Sequence, residues 1–222
     1  MINAMTSVVD QLMQSPRARQ YADEVQRRLR AEQDRRARFY DEMTEREKVE
    51  FINGEVVVQS PVRLDHARFS DNYFLVLDTY VMKNRLGLVG HEKLLVTLTR
   101  NDYEPDVVFW STGKASTFEP GQMQFPAPDL VVEVLSKSTE SVDRGVKLQD
   151  YADHGVTEYL LIDPTRQAVE QYVLQDGVYQ LRLNANTGML SSVALPGFDI
   201  PVTAIFDDAQ NIAALRTILV QL

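Results

Sequence analysis

Residues 128–164, PDLVVEVLSKSTESVDRGVKLQDYADHGVTEYLLIDP, constrain the fold more than any other stretch of the chain. They open with an apolar run, Leu130 to Leu135, set between Pro128 and the polar Ser136-Lys137-Ser138, the pattern of a buried strand. Helical spacing follows over 141–153, with Val142, Val146 and Ala152 available for packing and Gly155 placed to cap the end. A second apolar run, Tyr159-Leu160-Leu161-Ile162, stops at Asp163-Pro164. Strand, helix, strand in this order is a βαβ unit, so the chain is expected to be α/β with a right-handed crossover. Glu133, in the middle of the first run, is the anomaly: a buried carboxylate needs a partner, a proton or a metal.

The rest of the chain frames this unit. Residues 17–48 contain no glycine or proline, and Ala18, Tyr21, Val25, Leu29, Ala37 and Tyr40 recur at helical spacing. Eight arginines between Arg17 and Arg38 invite a phosphate-contacting helix, but the intermixed acids dilute the field. The plainer reading is a solvated helix that packs on the domain or pairs with another copy. Asn53-Gly54 between apolar runs marks a hairpin over 50–58, with Glu55 opening its second strand. His66, Phe69, Tyr73, Phe74, Leu77, Tyr80 and Val81 fit an amphipathic helix over 64–86, ended by Gly87. Strands are expected at 93–99 and 104–109, and the polar loop 111–127 is expected to be mobile and close to function. Asp176-Gly177 signals another hairpin, Leu195-Pro196-Gly197 a turn, and 207–222 a closing helix. The expected organisation is an N-terminal helical extension over 1–48 and a single domain over 49–222.

Composition narrows function by exclusion. No apolar run approaches the roughly 20 residues of a membrane helix, and the N-terminus has no signal-peptide pattern. With no cysteine, thiolate metal sites and cysteine nucleophiles are excluded, and a cytoplasmic protein is the simplest expectation. The net charge of −9 argues against broad adhesion to nucleic acid. Ten basic and nine acidic residues up to Lys48 leave about −10 for the remainder, so any duplex-binding surface must be local.

Two Pro-Asp pairs, Pro105-Asp106 and Pro128-Asp129, offer partners for Glu133. Asp129 lies four positions away on the same strand, about 13 Å off. One cation bound at roughly 2–2.6 Å cannot bridge that gap. Asp106, on another strand, comes within about 5 Å if the two strands pair directly. Two such carboxylates with a main-chain carbonyl and waters form an oxygen site suited to Mg²⁺ or Mn²⁺. Lys147, on the crossover helix, is the better placed of two lysines to return to them, because Lys137 lies too far along the strand.

Pro105-Asp106, Asp129-Leu-Val-Val-Glu133-Val-Leu-Ser136 and Lys147-x-x-x-Tyr151-Ala-x-x-Gly155-Val-x-Glu158-Tyr159-x-x-x-Asp163-Pro164 together resemble a widespread bacterial family of restriction-endonuclease-like proteins within the PD-(D/E)XK nuclease superfamily. The resemblance covers roughly 51–206. It implies a mixed central sheet flanked by helices and a Mg²⁺- or Mn²⁺-dependent endonuclease acting on DNA, expected as a homodimer. It also implies Asp106, Glu133 and the Val134 carbonyl as metal ligands, Glu55 as an additional acid, and Lys147 in place of the superfamily lysine. That lysine normally follows the glutamate by two positions, where this chain has Leu135. The departure leaves a rival from another class: a non-catalytic nuclease fold that binds nucleic acid or a partner protein. Hydrolysis of a different phosphorylated substrate is a third.

Overall fold

The computed structural model describes residues 2–44 and 47–220. Helices α1 (Ile2–Met13) and α2 (Ala18–Glu42) precede a hairpin of β1 (Val49–Ile52) and β2 (Glu55–Val58). Asn53 and Gly54 turn it with φ of 52° and 86°, the paired left-handed geometry that tight hairpins require. Helix α3 (Leu64–Asn84) ends on Arg85 in the left-handed region, two residues before the glycine expected to cap it. Gly87 instead opens β3 (Gly87–His91) at φ 149°, where a Cβ would collide with the Trp110 carbonyl. Strands β4 (Leu95–Thr97), β5 (Asp102–Tyr103) and β6 (Val107–Ser111) follow.

The segment after β6 corrects one expectation. It holds a short helix, α4 (Thr112–Ala115), and a short strand, β7 (Gln124–Phe125). Phe118 and Phe125 close on Trp110 with ring centroids 5.4 and 5.3 Å away, and the indole donates to the Pro126 carbonyl at 2.8 Å. Aromatic packing therefore organises this loop, and none of it lines the cleft described below.

The expected βαβ unit is present. β8 (Leu130–Val134) runs parallel to β9 (Glu158–Asp163), joined by α5 (Glu140–Val142), a π-helical turn (Asp143–Lys147) and α6 (Leu148–Asp153). Gly155, at φ 74°, caps α6, and Val156 donates back to the Tyr151 carbonyl. The chain then forms a hairpin of β10 (Ala168–Gln175) and β11 (Val178–Ala185), a small ribbon of β12 (Met189–Ser191) and β13 (Asp199–Pro201), and helices α7 (Thr203–Phe206) and α8 (Asp208–Val220). Gln221 and Leu222, expected in the last helix, lie outside the described residues.

A six-stranded sheet, ordered β11-β10-β9-β8-β6-β3, forms the centre, and only β8–β9 pair in parallel. Side chains alternate along β8. Leu130, Val132 and Val134 face a core built with Phe69, Tyr73 and Leu77 of α3 and with α7 and α8. Val131 and Leu135 face the other way, onto Tyr151 and Val156 of the crossover. Glu133 shares that second parity, so the strand aims its carboxylate at the face that the crossover helix covers.

A second sheet, β2-β1-β5-β4-β7, holds α2. Arg36 grips the buried Asp102 through two bonds of 2.7 Å and also donates to the carbonyls of Leu98 and Thr99. Tyr40 donates to the same carboxylate at 2.9 Å, Arg100 binds Glu32 through 2.7 and 2.9 Å bonds, and Arg35 donates to the Gly54 carbonyl. Phe39 packs on Phe51. Arginines of the C-terminal half of α2 thus clamp the helix to the domain, while Arg27 and Arg28 pair with Glu24 on the outer side.

Candidate active site

Asp106 precedes β6 by one residue. Val107 pairs with Val132 across the antiparallel ladder, so extending the register by one sets Asp106 directly opposite Glu133 and on the same face. Both acids are buried at the floor of an open cleft of ≈ 370 Å³. Asp129, four residues back, instead pairs with Lys114 at 2.8 Å and accepts the Ser111 N–H.

Asp106 is held from three sides. Lys48 Nζ lies 2.6 Å from Oδ1, the Val134 N–H donates to Oδ2 at 2.8 Å, and His66 Nε2 lies 3.3 Å from Oδ2. Burial alone would raise its pKa, but His66 and Lys48 outweigh that and hold the carboxyl below the usual range. Asp106 is therefore an anion at every ordinary pH. N–H and C=O of one strand residue point the same way. The Val134 carbonyl therefore faces the Asp106 side.

Glu133 takes its partner from the crossover. Lys147 Nζ donates to Glu133 Oε1 at 2.9 Å and lies 2.9 Å from Glu50 Oε1 and 3.2 Å from Asp143 Oδ1. Asp143 and Lys147 begin and end the π-helical turn, and both line the cleft. Burial works against the Lys147 charge, but Glu133, Glu50 and Asp143 keep the ammonium well above the ordinary lysine value. One ammonium does not satisfy three buried acids: burial, together with the neighbouring carboxylates, pushes Glu133 well up and Asp143 up.

Glu55 does not belong to this group. It is exposed, pairs across the hairpin with Ile52 and does not line the cleft. The acid that β1 supplies is Glu50, whose Oε1 accepts the Glu104 N–H at 3.1 Å and whose Oε2 accepts from Gln59 Nε2 at 2.8 Å. The correction follows from strand order: β1 is the inner strand beside β5, whereas β2 is the edge and exposed throughout. Glu50 carried the same signal as Glu133, an acid inside an apolar run (Val49-Glu50-Phe51-Ile52), and that signal points to it. Lys48 and Asp143 also belong to the site, but as common residues in polar stretches they have no such signal.

Whether a divalent cation fits can be judged from charge and from orphaned atoms. Four acids, Glu50, Asp106, Glu133 and Asp143, meet two ammonium groups among the described residues, Lys48 and Lys147. His66 Nε2 has only its 3.3 Å approach to Asp106, and Nδ1 makes no hydrogen bond among the described residues. Also among the described residues, no three acid or imidazole side chains form a ready metal cluster. Two carboxylates, a carbonyl and room for water suit Mg²⁺ or Mn²⁺, which keep several waters and do not need an all-protein cage. Ser70 and Asp71 both approach His91 through the same nitrogen, at 3.1 and 3.6 Å, so they do not make a nucleophilic relay.

A mixed sheet with paired acids at the end of its central strands, a crossover lysine and flanking helices define the restriction-endonuclease-like class of α/β fold. Residues 35–203 match the family described as "Uma2: Putative restriction endonuclease". The chain belongs to that family. Among similar proteins, "Uncharacterized protein sll1609" of Synechocystis sp. (strain ATCC 27184 / PCC 6803 / Kazusa) is 30% identical over 128 residues, 57% of this chain and 72% of its own length. "Uncharacterized protein slr1290" of the same organism is 26% identical over 171 residues, 74% of this chain and 86% of its own. A crystal structure titled as a putative nuclease belonging to DUF820 from Anabaena variabilis ATCC 29413 shares the fold. Its TM-score is 0.62 at 18% identity, over 73% of this chain and 90% of that one. No helix among the described residues is long and apolar enough to cross a membrane.

Proposed function

We propose that the chain is a cytoplasmic endonuclease that hydrolyses DNA phosphodiester bonds with Mg²⁺ or Mn²⁺. The observation that carries this reading is the direct opposition of Asp106 and Glu133 on neighbouring strands, at the floor of an open cleft where acids outnumber ammonium groups. Asp106, Glu133 and the Val134 carbonyl would hold the ion, with the His66 imidazole beside Asp106. When bound, such an ion polarises a phosphoryl oxygen and acidifies a water. Lys147 keeps Glu133 in place and offsets its charge. Its side chain is 3% exposed and three carboxylate oxygens lie within 3.2 Å of Nζ, so little room is left beside it for a water. Cleavage of both strands calls for two clefts, so a homodimer is part of the proposal. Family membership and a structural neighbour described as a putative nuclease support the reaction class.

A plasmid-nicking assay tests this. Nicking is expected with Mg²⁺ or Mn²⁺ and is expected to fall about ten- to a hundredfold in Asp106→Asn, which weakens a metal ligand, and in Lys147→Ala, which removes the cation that holds Glu133. One observation favours a non-catalytic binding module instead: each acid already has an ammonium partner within 3 Å. Calorimetry separates the two readings. Mn²⁺ binding that is lost in Asp106→Ala and Glu133→Ala supports the enzyme, and no binding at millimolar metal supports the module.

A further inference from the structure

Two ammonium groups enter the cleft, and they differ in what they have left to offer. Lys147 is enclosed: its side chain is 3% exposed, three carboxylate oxygens lie within 3.2 Å of Nζ, and the Tyr103 ring covers it at 5.5 Å. Lys48 is 16% exposed, lines the open cleft, and makes one hydrogen bond among the described residues, to Asp106 at 2.6 Å. A lysine has three N–H donors, so two of those on Lys48 have no partner among the described residues. Its position is fixed from behind. The Gln59 N–H donates to the Lys48 carbonyl at 2.9 Å, which continues the β1–β2 ladder by one step. Lys48 and Glu50 therefore share a strand parity. β1 sends a cation to Asp106 and an anion to Lys147 from the same face.

We infer that Lys48, and not Lys147, is the ammonium that contacts the substrate phosphate. This rests on the proposed phosphodiesterase reading and assigns a residue that neither strand spacing nor the family resemblance indicates. A phosphodiester arriving over Asp106 brings an anionic oxygen into an acid-rich cleft, and a compact cation already seated there offsets the repulsion. Arg63, at the rim of the same cleft, is exposed and engaged with Asp65, so it is a weaker candidate.

The test compares the parent chain with Lys48→Met, which keeps the length of the side chain but not its charge, and with Lys48→Arg. Binding of a short DNA duplex is measured in Ca²⁺ across a salt series, Mn²⁺ affinity by calorimetry, and folding by thermal unfolding. Lys48→Met is expected to bind duplex about three- to tenfold more weakly and to lower the salt slope by about one, while Mn²⁺ affinity holds or rises. Lys48→Arg is expected to recover most of the duplex affinity. Unchanged duplex binding and slope in Lys48→Met overturn the inference alone. So does a parallel loss of Mn²⁺ affinity, which would make Lys48 a prop for Asp106. A parent chain that binds neither Mn²⁺ nor duplex overturns the nuclease reading, and this inference with it.

Discussion

Glu104 shows how a single side chain couples the edge of the site to pH. It accepts the Val49 N–H at 3.0 Å, and its own N–H holds Glu50. Burial pushes its pKa from the ordinary glutamate range up to about 7. An acid with a raised folded pKa is protonated in the folded state where the unfolded chain has already lost its proton. Stability from this group is therefore greatest below about 4.5 and falls as pH rises to about 7. Glu104→Gln keeps an acceptor for Val49 and is expected to flatten that fall. The gain at pH 8 is about 1 kcal/mol after allowance for solvent screening, measured as the urea midpoint against pH. At this scale the sequence is readable wherever a residue sits in the wrong company. Asp106 and Glu133 stand out as acids among β-branched residues, and Asp129 can be set aside by distance along an extended strand. Lys48 and Asp143 stand in polar surroundings, and only the folded backbone reveals that they face inward. Glu55 was misassigned because alternation fixes which residues share a face but does not say which strand of a hairpin is the inner one.

At the scale of elements, the crossover segment is the part on which the site most depends. Its π-helical turn carries Asp143 and Lys147, and Gly145 between them has open space where a side chain would go. Deleting Gly145 brings Asp143 and Lys147 one residue closer along the helix and changes how the two point relative to each other. That deletion is expected to abolish nicking while leaving the far-ultraviolet circular dichroism close to that of the parent. Retained nicking would show that Lys147 is dispensable. The strand–helix–strand order, the Asn53-Gly54 and Asp176-Gly177 hairpins and the α3 periodicity were all legible, because each rests on local geometry that the residues themselves impose. The π turn was not, since its residues also suit an α-helix. β3 was hidden by two glycines, required by close approach to β6 and not by any strand propensity.

For the whole molecule, α2 links the second sheet to the cleft. Its C-terminal part is clamped to the second sheet through Arg36, Tyr40, Arg35 and Glu32, and the chain leaving it delivers Lys48 to the cleft. Its N-terminal part keeps Tyr21, Val25 and Leu29 exposed along one stripe, with α1 exposing Val8, Val9 and Leu12. Charges around that stripe nearly balance, which suits pairing with a second copy better than binding a polyanion. Leu29→Asp is expected to shift a dimer to a monomer in sedimentation equilibrium without lowering the unfolding temperature. A parent chain that sediments as a monomer at tens of micromolar would remove the dimer from the proposal. The long-range clamp between Arg36 and Asp102 could not be read from spacing, because the two lie in elements whose proximity only the tertiary fold creates.

The single tryptophan, Trp110, lies fully buried on the strand that begins beside Asp106, with its indole bonded to the Pro126 carbonyl. The chain thus carries a built-in optical reporter. Its emission will be blue in the intact protein and will move to the red only when the central sheet itself comes apart. Events confined to the cleft will leave that colour largely unchanged.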